Sequence, residues 1–329
     1  MIIDTHAHYL PQPMLNALGD KGSGFPSIEM MRDGDIFKLA FAGGAPTRPI
    51  AAKLREGELR LEWMSAQGID AQVVGGWLDS FGYEIADEEG REWNRFINEH
   101  LMGATAGNDR LAPLASVPLQ NGEMAAEILT EALAAGFHGV MIGTQPKGTS
   151  GNLDDPDLDP FWQTASDAGA TVYIHPMFGC GDPRLLDFDM INAVGRGMDT
   201  TTAVARMLFA GHFTKYPGMK VVLSHGGGAL PYMMGRLRRN HDLHPDKNAD
   251  PVPGLTRCYY DTVVFDPATL EFLCAKMGSD RVMLGSDYPF PIGDPEPCNV
   301  VRNSNLEEVD MRLILGDTAA KLFHVADCC

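Results

Sequence analysis

The sequence lacks long apolar runs, and its cysteines are few and irregularly spaced. No segment approaches the roughly 18 apolar residues of a membrane span, so we expect none. Ile2-Ile3 is followed at once by Asp4, without a cationic region and a long apolar core, so we expect no signal peptide. The cysteines show no CxxC spacing and indicate reduced thiols of a cytoplasmic protein. They are Cys180, Cys258, Cys274, Cys298, Cys328 and Cys329.

Basic residues are also scarce, with 26 Lys and Arg against 44 Asp and Glu, which gives a net charge of −18. Such a field repels phosphate backbones and anionic lipids, so we expect neither nucleic acid nor a membrane surface as a partner. A local basic cluster can still bind a small-molecule carboxylate. The 44% apolar and 21% charged residues are typical of a globular enzyme.

Short apolar segments alternate with helix-like stretches along the chain. This alternation predicts a parallel sheet, and eight strands in 329 residues predict one closed (β/α)8 barrel domain spanning 1–329. The predicted strands are Ile2–His6, Ala71–Gly75, Leu114–Val117, Gly139–Ile142, Thr171–His175, Lys220–His225, Cys258–Val263 and Arg281–Ser286. Predicted helices include Arg91–Met102, Met124–Ala135 and Thr200–Phe213.

Two segments interrupt this repeat. Residues 11–50 are rich in Gly and Pro, and alternating residues flank Asp33-Gly34, so we expect a small β-hairpin inserted after the first strand. Residues 288–305 form a long Pro-rich stretch after the last strand. Loops that follow the strands of such barrels line the active site.

Histidines gather where predicted strands end. His6 and His8 are two residues apart, so on a strand they face the same side, although this spacing alone is weak evidence. His175, His225 and Asp287 also end predicted strands. Imidazoles and a carboxylate at one end of a barrel suit a divalent transition metal, most often zinc. The remaining histidines are expected to be structural or solvated: His100, His138, His212, His241, His244 and His324.

Three glycines, Gly226 to Gly228, directly follow His225. They are compatible with an ordinary tight turn, or with a close approach of the backbone to a neighbouring group. Because they stand beside a strand-end histidine, we favour a functional site.

The stretches "DTHAH", "IHP", "SHGGGALPYMMGR" and "LGSDYPFP" together resemble the amidohydrolase superfamily, in the branch that includes 2-amino-3-carboxymuconate-6-semialdehyde decarboxylase. The resemblance implies one zinc ion, with another divalent metal as the alternative. It implies that His225 and Asp287 are catalytic, and that "GVMIGT" lacks the lysine that bridges two metals in other members. Lys147 lies beyond this strand. The implied metal ligands are His6, His8, His175 and Asp287.

The same resemblance suggests substrate contacts. Arg32 and Lys38 stand where the family has a lysine and an arginine in the hairpin, so basic character is kept but the arginine fork is lost. Met177 and Phe290 follow the strand-end groups and are expected to contact substrate. Arg236 matches an arginine that family dimers pass into the neighbouring site, which implies a homodimer.

Three functions remain open from the sequence. We place first a zinc-dependent nonoxidative decarboxylase of an unsaturated or aromatic carboxylic acid, on "GSDYPFP" and the basic hairpin. The alternative is a metal-dependent hydrolase of a ring-fission product or of another small carbon–carbon, ester or amide substrate. We place a non-catalytic binding barrel last, because the presence of the full set of metal-ligand residues favours an enzyme.

Overall fold

Parallel strands arranged in a ring form the centre of the molecule. The structure is a computed structural model that describes residues 1–20, 24–147, 151–177 and 181–325. In these residues the barrel strands are β1 (Ile3–His8), β4 (Ala71–Gly75), β5 (Leu111–Pro113), β6 (Val140–Gly143), β7 (Thr171–His175), β8 (Lys220–Leu223), β9 (Tyr259–Asp261) and β10 (Val282–Met283). Between β1 and β4 lie two hairpin strands, β2 (Ile28–Asp33) and β3 (Ile36–Phe41).

Hydrogen bonds close the ring. Strands β1, β4 and β5 pair in that order, and β6 to β10 pair successively, all in parallel. Ala115 joins the two groups, because its N–H donates to the Gly139 carbonyl at 2.9 Å and its carbonyl accepts from Met141 N–H at 2.9 Å. On the opposite side, Thr5 N–H donates to the Leu284 carbonyl at 2.8 Å. The predicted (β/α)8 barrel is confirmed.

Helices surround the barrel on the outside. Within the described ranges they are α1 (Gln12–Asp20), α2 (Ala52–Arg55), α3 (Gly57–Gln67), α4 (Asp87–Thr105), α5 (Gly122–Ala134), α6 (Asp159–Asp167), α7 (Arg196–Phe209), α8 (His212–Lys215), α9 (Leu230–Leu243), α10 (Val252–Leu255), α11 (Pro267–Met277), α12 (Cys298–Arg302), α13 (Glu308–Arg312) and α14 (Thr318–Phe323). Wider helical turns, Ile191–Gly195 and Leu313–Asp317, precede α7 and α14.

Two sequence-based boundaries were wrong. The third barrel strand is Leu111–Pro113 rather than Leu114–Val117. The apolar run begins at Leu111, but Pro113 within it misleadingly suggests a break. The predicted helix Thr200–Phe213 is divided into α7 and α8 at Gly211, whose φ of 76° is left-handed.

The β2–β3 hairpin covers a small second core. Its strands pair antiparallel around the Asp33-Gly34 turn, as predicted, with Asp33 opposite Ile36. Phe37 and Leu39 are buried in one hydrophobic cluster with Trp93 and Ile97 of α4 and with Leu10, which follows β1. Burial of these side chains stabilises the position of the hairpin beside α4.

No described helix is long and apolar enough to cross a bilayer. Cys258, Cys274 and Cys298 are buried free thiols, as predicted from their spacing. Cys180, Cys328 and Cys329 lie outside the described residues.

Candidate metal centre

The carboxyl ends of four strands bring the predicted metal ligands and His225 to one point. His6 and His8 belong to β1, and His175 is the last residue of β7. His225 follows β8 and Asp287 follows β10, with left-handed φ angles of 53° and 60°. Non-glycine residues rarely adopt this conformation, and it is concentrated at functional sites.

Distances within the cluster are short. Nε2 of His8 lies 3.2 Å, and Nε2 of His6 lies 3.5 Å, from Oδ1 of Asp287. Nε2 of His225 lies 3.5 Å from the other carboxylate oxygen, Oδ2. One ligand atom from each of His6, His175, His225 and Asp287 falls within a common 4.8 Å. The geometry thus brings together all five strand-end groups that the sequence singled out.

An acceptor stands behind each of the three buried imidazoles. His8 Nδ1 donates to the Gly76 carbonyl at 3.0 Å, and His175 Nδ1 donates to the Pro176 carbonyl at 2.8 Å. His6 Nδ1 donates to Asp261 Oδ2 at 2.6 Å. Since Nδ1 carries the proton, the lone pair is on Nε2, and each Nε2 is buried without a hydrogen-bond partner among the described residues. This donor set fits a divalent cation.

His225 differs from the other three imidazoles. Its side chain is 18% exposed, whereas those of His6 and His8 are fully buried. Within the described part of the chain its Nδ1 has no hydrogen-bond partner that would fix the ring as metal-binding histidines are fixed. These features favour a movable proton carrier over a ligand, although its distance from the cluster is compatible with both roles.

The electrostatic field of the cluster favours a positive charge. Burial would raise the pKa of Asp287, but the His6, His225 and His8 imidazoles outweigh burial and hold that pKa well below its usual range. Burial, reinforced by the neighbouring imidazoles, holds the pKa of His175 well below its usual value. For His6, the Asp287 and Asp261 carboxylates overcome burial and raise the pKa. An ionised Asp287 beside a neutral His175 suits metal binding, whereas the raised pKa of His6 means that a metal ion would displace a proton from this imidazole.

Asp261, at the end of β9, was not singled out in the sequence. Besides His6, its Oδ2 accepts the Tyr173 hydroxyl at 2.9 Å, and its Oδ1 accepts Gly226 N–H at 3.0 Å. Burial would raise its pKa, but His6 holds the pKa below the usual value. Asp261 lies inside the predicted strand Cys258–Val263, whereas the observed strand ends at this residue, so the sequence carried no strand-end signal for it.

A buried polar network locks β1 to its neighbours beneath the cluster. Asp4 accepts hydrogen bonds from Ser286 Oγ at 2.6 Å and from Gln72 Nε2 at 2.7 Å. The fully buried Arg60 donates to Gln72 and to the His8 carbonyl. Burial lowers the pKa of this guanidinium to about 10. Buried hydrogen-bond networks of this kind restrict the backbone to one arrangement.

The predicted substrate contacts differ in whether they lie beside the metal centre. The Phe290 ring lies 5.1 Å from the His8 ring, and Met177 is buried two residues after His175. Arg32, in contrast, donates to the Gly34 carbonyl at 3.1 Å and lies 5.0 Å from the Phe37 ring, so these contacts stay within the hairpin.

The other cations considered in the sequence analysis are Lys38, Arg236 and Lys147. Lys38 is half-buried and lies opposite Met31, and it makes no ion pair in the described part of the chain. Arg236 is exposed on α9. Lys147, beyond β6, pairs with Asp157 at 3.1 Å at the surface.

Comparison with known proteins assigns the family. A sequence profile described as "Amidohydrolase" matches residues 3–325. The chain belongs to the amidohydrolase family. It is 30% identical over 334 residues to 2-amino-3-carboxymuconate-6-semialdehyde decarboxylase of Dictyostelium discoideum, which covers 96% of this chain and 90% of that protein. The resemblance found in the sequence is confirmed, and the chain is an enzyme of this superfamily.

Solved structures share the fold. A 5-carboxyvanillate decarboxylase from Sphingomonas paucimobilis superposes with a TM-score of 0.82 at 24% identity, covering 99% of both chains. A dihydroxybenzoic acid decarboxylase from Polaromonas, crystallised with bound manganese, gives a TM-score of 0.80 at 23% identity and covers 98% of this chain and 97% of that one. These likenesses support the barrel architecture.

Proposed function

We propose that this enzyme is a divalent-metal-dependent nonoxidative decarboxylase of a small aromatic or unsaturated carboxylic acid. The observation that carries the proposal is the convergence on the Asp287 carboxylate of three buried Nε2 atoms that have no hydrogen-bond partner among the described residues. It occurs in a chain that is 30% identical over nearly its whole length to a named decarboxylase.

We propose His6, His8, His175 and Asp287 as the metal ligands. Zn²⁺ is our first choice, because imidazole and carboxylate ligands in a closed buried site suit it. Mn²⁺ is the alternative, since a protein of the same fold contains it. When bound, a divalent ion supplies a positive charge for a developing oxyanion and lowers the pKa of water.

The chain itself supplies the proton transfer. In a decarboxylation the bond to the carboxylate breaks, carbon dioxide leaves, and the carbon that held it gains a proton. His225 Nε2 lies 3.5 Å from Asp287 Oδ2 on a partly exposed side chain, and is placed to hold such a proton and deliver it. The hydrogen-bond networks around Asp261 and Asp4 keep the side chains of the metal centre in position while substrate binds.

Incubation with candidate acids in ¹⁸O-labelled water tests the proposal. The substrates are dienoic semialdehydes and hydroxylated aromatic acids, and the products are carbon dioxide and the residual organic molecule. Release of carbon dioxide without stable label in a carboxylate product is expected. A labelled carboxylate product would instead establish the alternative, a metal-dependent hydrolase.

The same assay tests His225. Removal of a positioned acid–base group costs about 10²–10⁴-fold in turnover, so His225→Ala is expected to lose that much. His244→Ala, an exposed histidine at the end of α9, is the matched control and is expected to retain wild-type turnover. Equal turnover in the two variants would remove His225 from the reaction.

A further inference from the structure

Two arginines outside the predicted site lie beside the metal centre. Arg48 Nη2 lies 3.2 Å from Oδ2 of Asp79, whose side chain is buried. The Arg48 guanidinium also lies 5.7 Å from the Phe290 ring, and that ring contacts His8. Arg48 is therefore separated from a proposed metal ligand by a single aromatic ring.

Arg196 contacts the segment that follows His175. It is the first residue of α7, and its Nε donates to Asn192 Oδ1 at 2.7 Å. Its Nη1 donates to the Met177 carbonyl at 3.3 Å, two residues beyond His175. Burial lowers the pKa of this guanidinium, while the nearby Asp79 and Asp287 carboxylates oppose the change. The contacts of Arg196 with the Pro176 and Met177 carbonyls place it beside the segment that follows His175.

The surroundings suit a planar acid. Phe290 and the buried Trp77, whose ring lies 5.9 Å from the Arg48 guanidinium, provide aromatic surface beside the arginine. Guanidinium groups present N–H donors in a fixed plane that matches a carboxylate. Arg48 is half-exposed, so its remaining donors can reach a ligand. In a chain with a net charge of −18, two arginines beside the metal centre favour a role in binding an anion.

We propose that Arg48 and Arg196 bind a carboxylate that the substrate retains, so that the preferred substrate is a dicarboxylic acid. This inference rests on the proposed function. It assigns substrate recognition to this pair rather than to Arg32 and Lys38.

The carboxylate that stays on the substrate is a better partner for these arginines than the carboxylate that leaves. A carboxylate that departs as carbon dioxide loses its negative charge, so arginines bound to it would stabilise the ground state more than the transition state. Arginines bound to a second, unreactive carboxylate interact equally in both states. They would improve substrate binding without slowing the chemical step.

Calorimetric binding to metal-loaded enzyme tests the proposal without relying on turnover. The probes are benzoate and the three benzenedicarboxylates. We expect at least one dicarboxylate to bind about 10- to 100-fold more tightly than benzoate, the range for hydrogen bonds to charged groups. Arg48→Met and Arg196→Met should each abolish most of that preference and leave benzoate affinity and metal content unchanged. Arg196→Lys should restore part of it, because charge returns without the planar fork.

Arg32→Met and Lys38→Met are the matched controls and should keep the preference. Arg48 is half-exposed, so Arg48→Met gives a folded variant even if Arg196→Met does not. The proposal is overturned if wild type shows no dicarboxylate preference, if the Arg48 variant keeps it, or if the control variants lose it. A preserved preference in an enzyme that releases no carbon dioxide from any acid would reject the decarboxylase assignment alone.

Discussion

At the residue scale, the orientation of His6 depends on a carboxylate that the sequence did not reveal. Asp261 accepts the His6 Nδ1 proton at 2.6 Å and is itself held by Tyr173 and by Gly226 N–H. A charged acceptor behind a ligand imidazole fixes its tautomer and raises its basicity. Asp261 therefore orients the His6 ring, which we propose as a metal ligand.

We expect Asp261→Asn to weaken metal affinity about 10- to 100-fold, because the amide can accept the proton of His6 but lacks the negative charge. Competition with a fluorescent chelator measures the dissociation constant. Tyr173→Phe is the control, since it removes one hydrogen bond to the same carboxylate and keeps the charge. Wild-type affinity in Asp261→Asn would show that His6 needs no charged support.

Residues at strand ends were predictable, whereas residues brought in by long-range packing were not. His6, His8, His175, His225 and Asp287 were found because each stands at the end of an apolar run that reads as a strand. Arg48 lies in a Gly- and Pro-rich stretch without periodicity, and Arg196 opens a helix whose start the sequence places four residues later. The contacts of Arg48 with Asp79 and of Arg196 with the Met177 carbonyl depend on the packing of segments far apart in the sequence.

At the element scale, the glycines after β8 connect the His225 turn to α7. Gly228 has φ 61° and ψ −129°, and a Cβ there would lie 2.3 Å from the Gly197 carbonyl oxygen. The two segments therefore touch through backbone, one residue from Arg196. The sequence left a tight turn and a close approach as alternatives, and the structure shows both.

We expect Gly228→Ala to destabilise the fold by about 2–4 kcal/mol, from backbone strain together with overpacking. Gly235→Ala is the matched control. Gly235 lies in the exposed interior of α9, and no atom of the described residues outside its own helical turn lies within 4 Å of the place a Cβ would take. Alanine there should stabilise the fold by about 0.5–1 kcal/mol. Urea unfolding of each variant measures both changes, and a Gly228→Ala midpoint at or above that of wild type would contradict the packing described.

At the scale of the whole molecule, assembly remains a prediction. Arg236 is exposed on α9, and Tyr232, one helical turn earlier, is 84% exposed. A large exposed aromatic beside an arginine is typical of interface residues. We therefore retain the homodimer in which Arg236 contributes to the site of the partner subunit.

If Arg236 crosses to a partner, Arg236→Ala should weaken substrate use and leave the metal bound. Mixing this variant with His225→Ala, after dissociation and reassociation, should restore some activity, because one site of each hybrid dimer then has both an intact histidine and an intact arginine. A monomeric protein in solution, or hybrids without recovered turnover, would reject a shared site.

The metal content of wild type, His6→Ala and His225→Ala, purified without added metal, tests the central claim most directly. The account predicts about one equivalent per chain in wild type, because four residues are proposed as ligands and β6 offers no bridging lysine. It predicts loss of the metal in His6→Ala and retention in His225→Ala. Two equivalents in wild type, or equal loss of metal in both variants, would contradict a single-metal centre with His225 as its acid–base group.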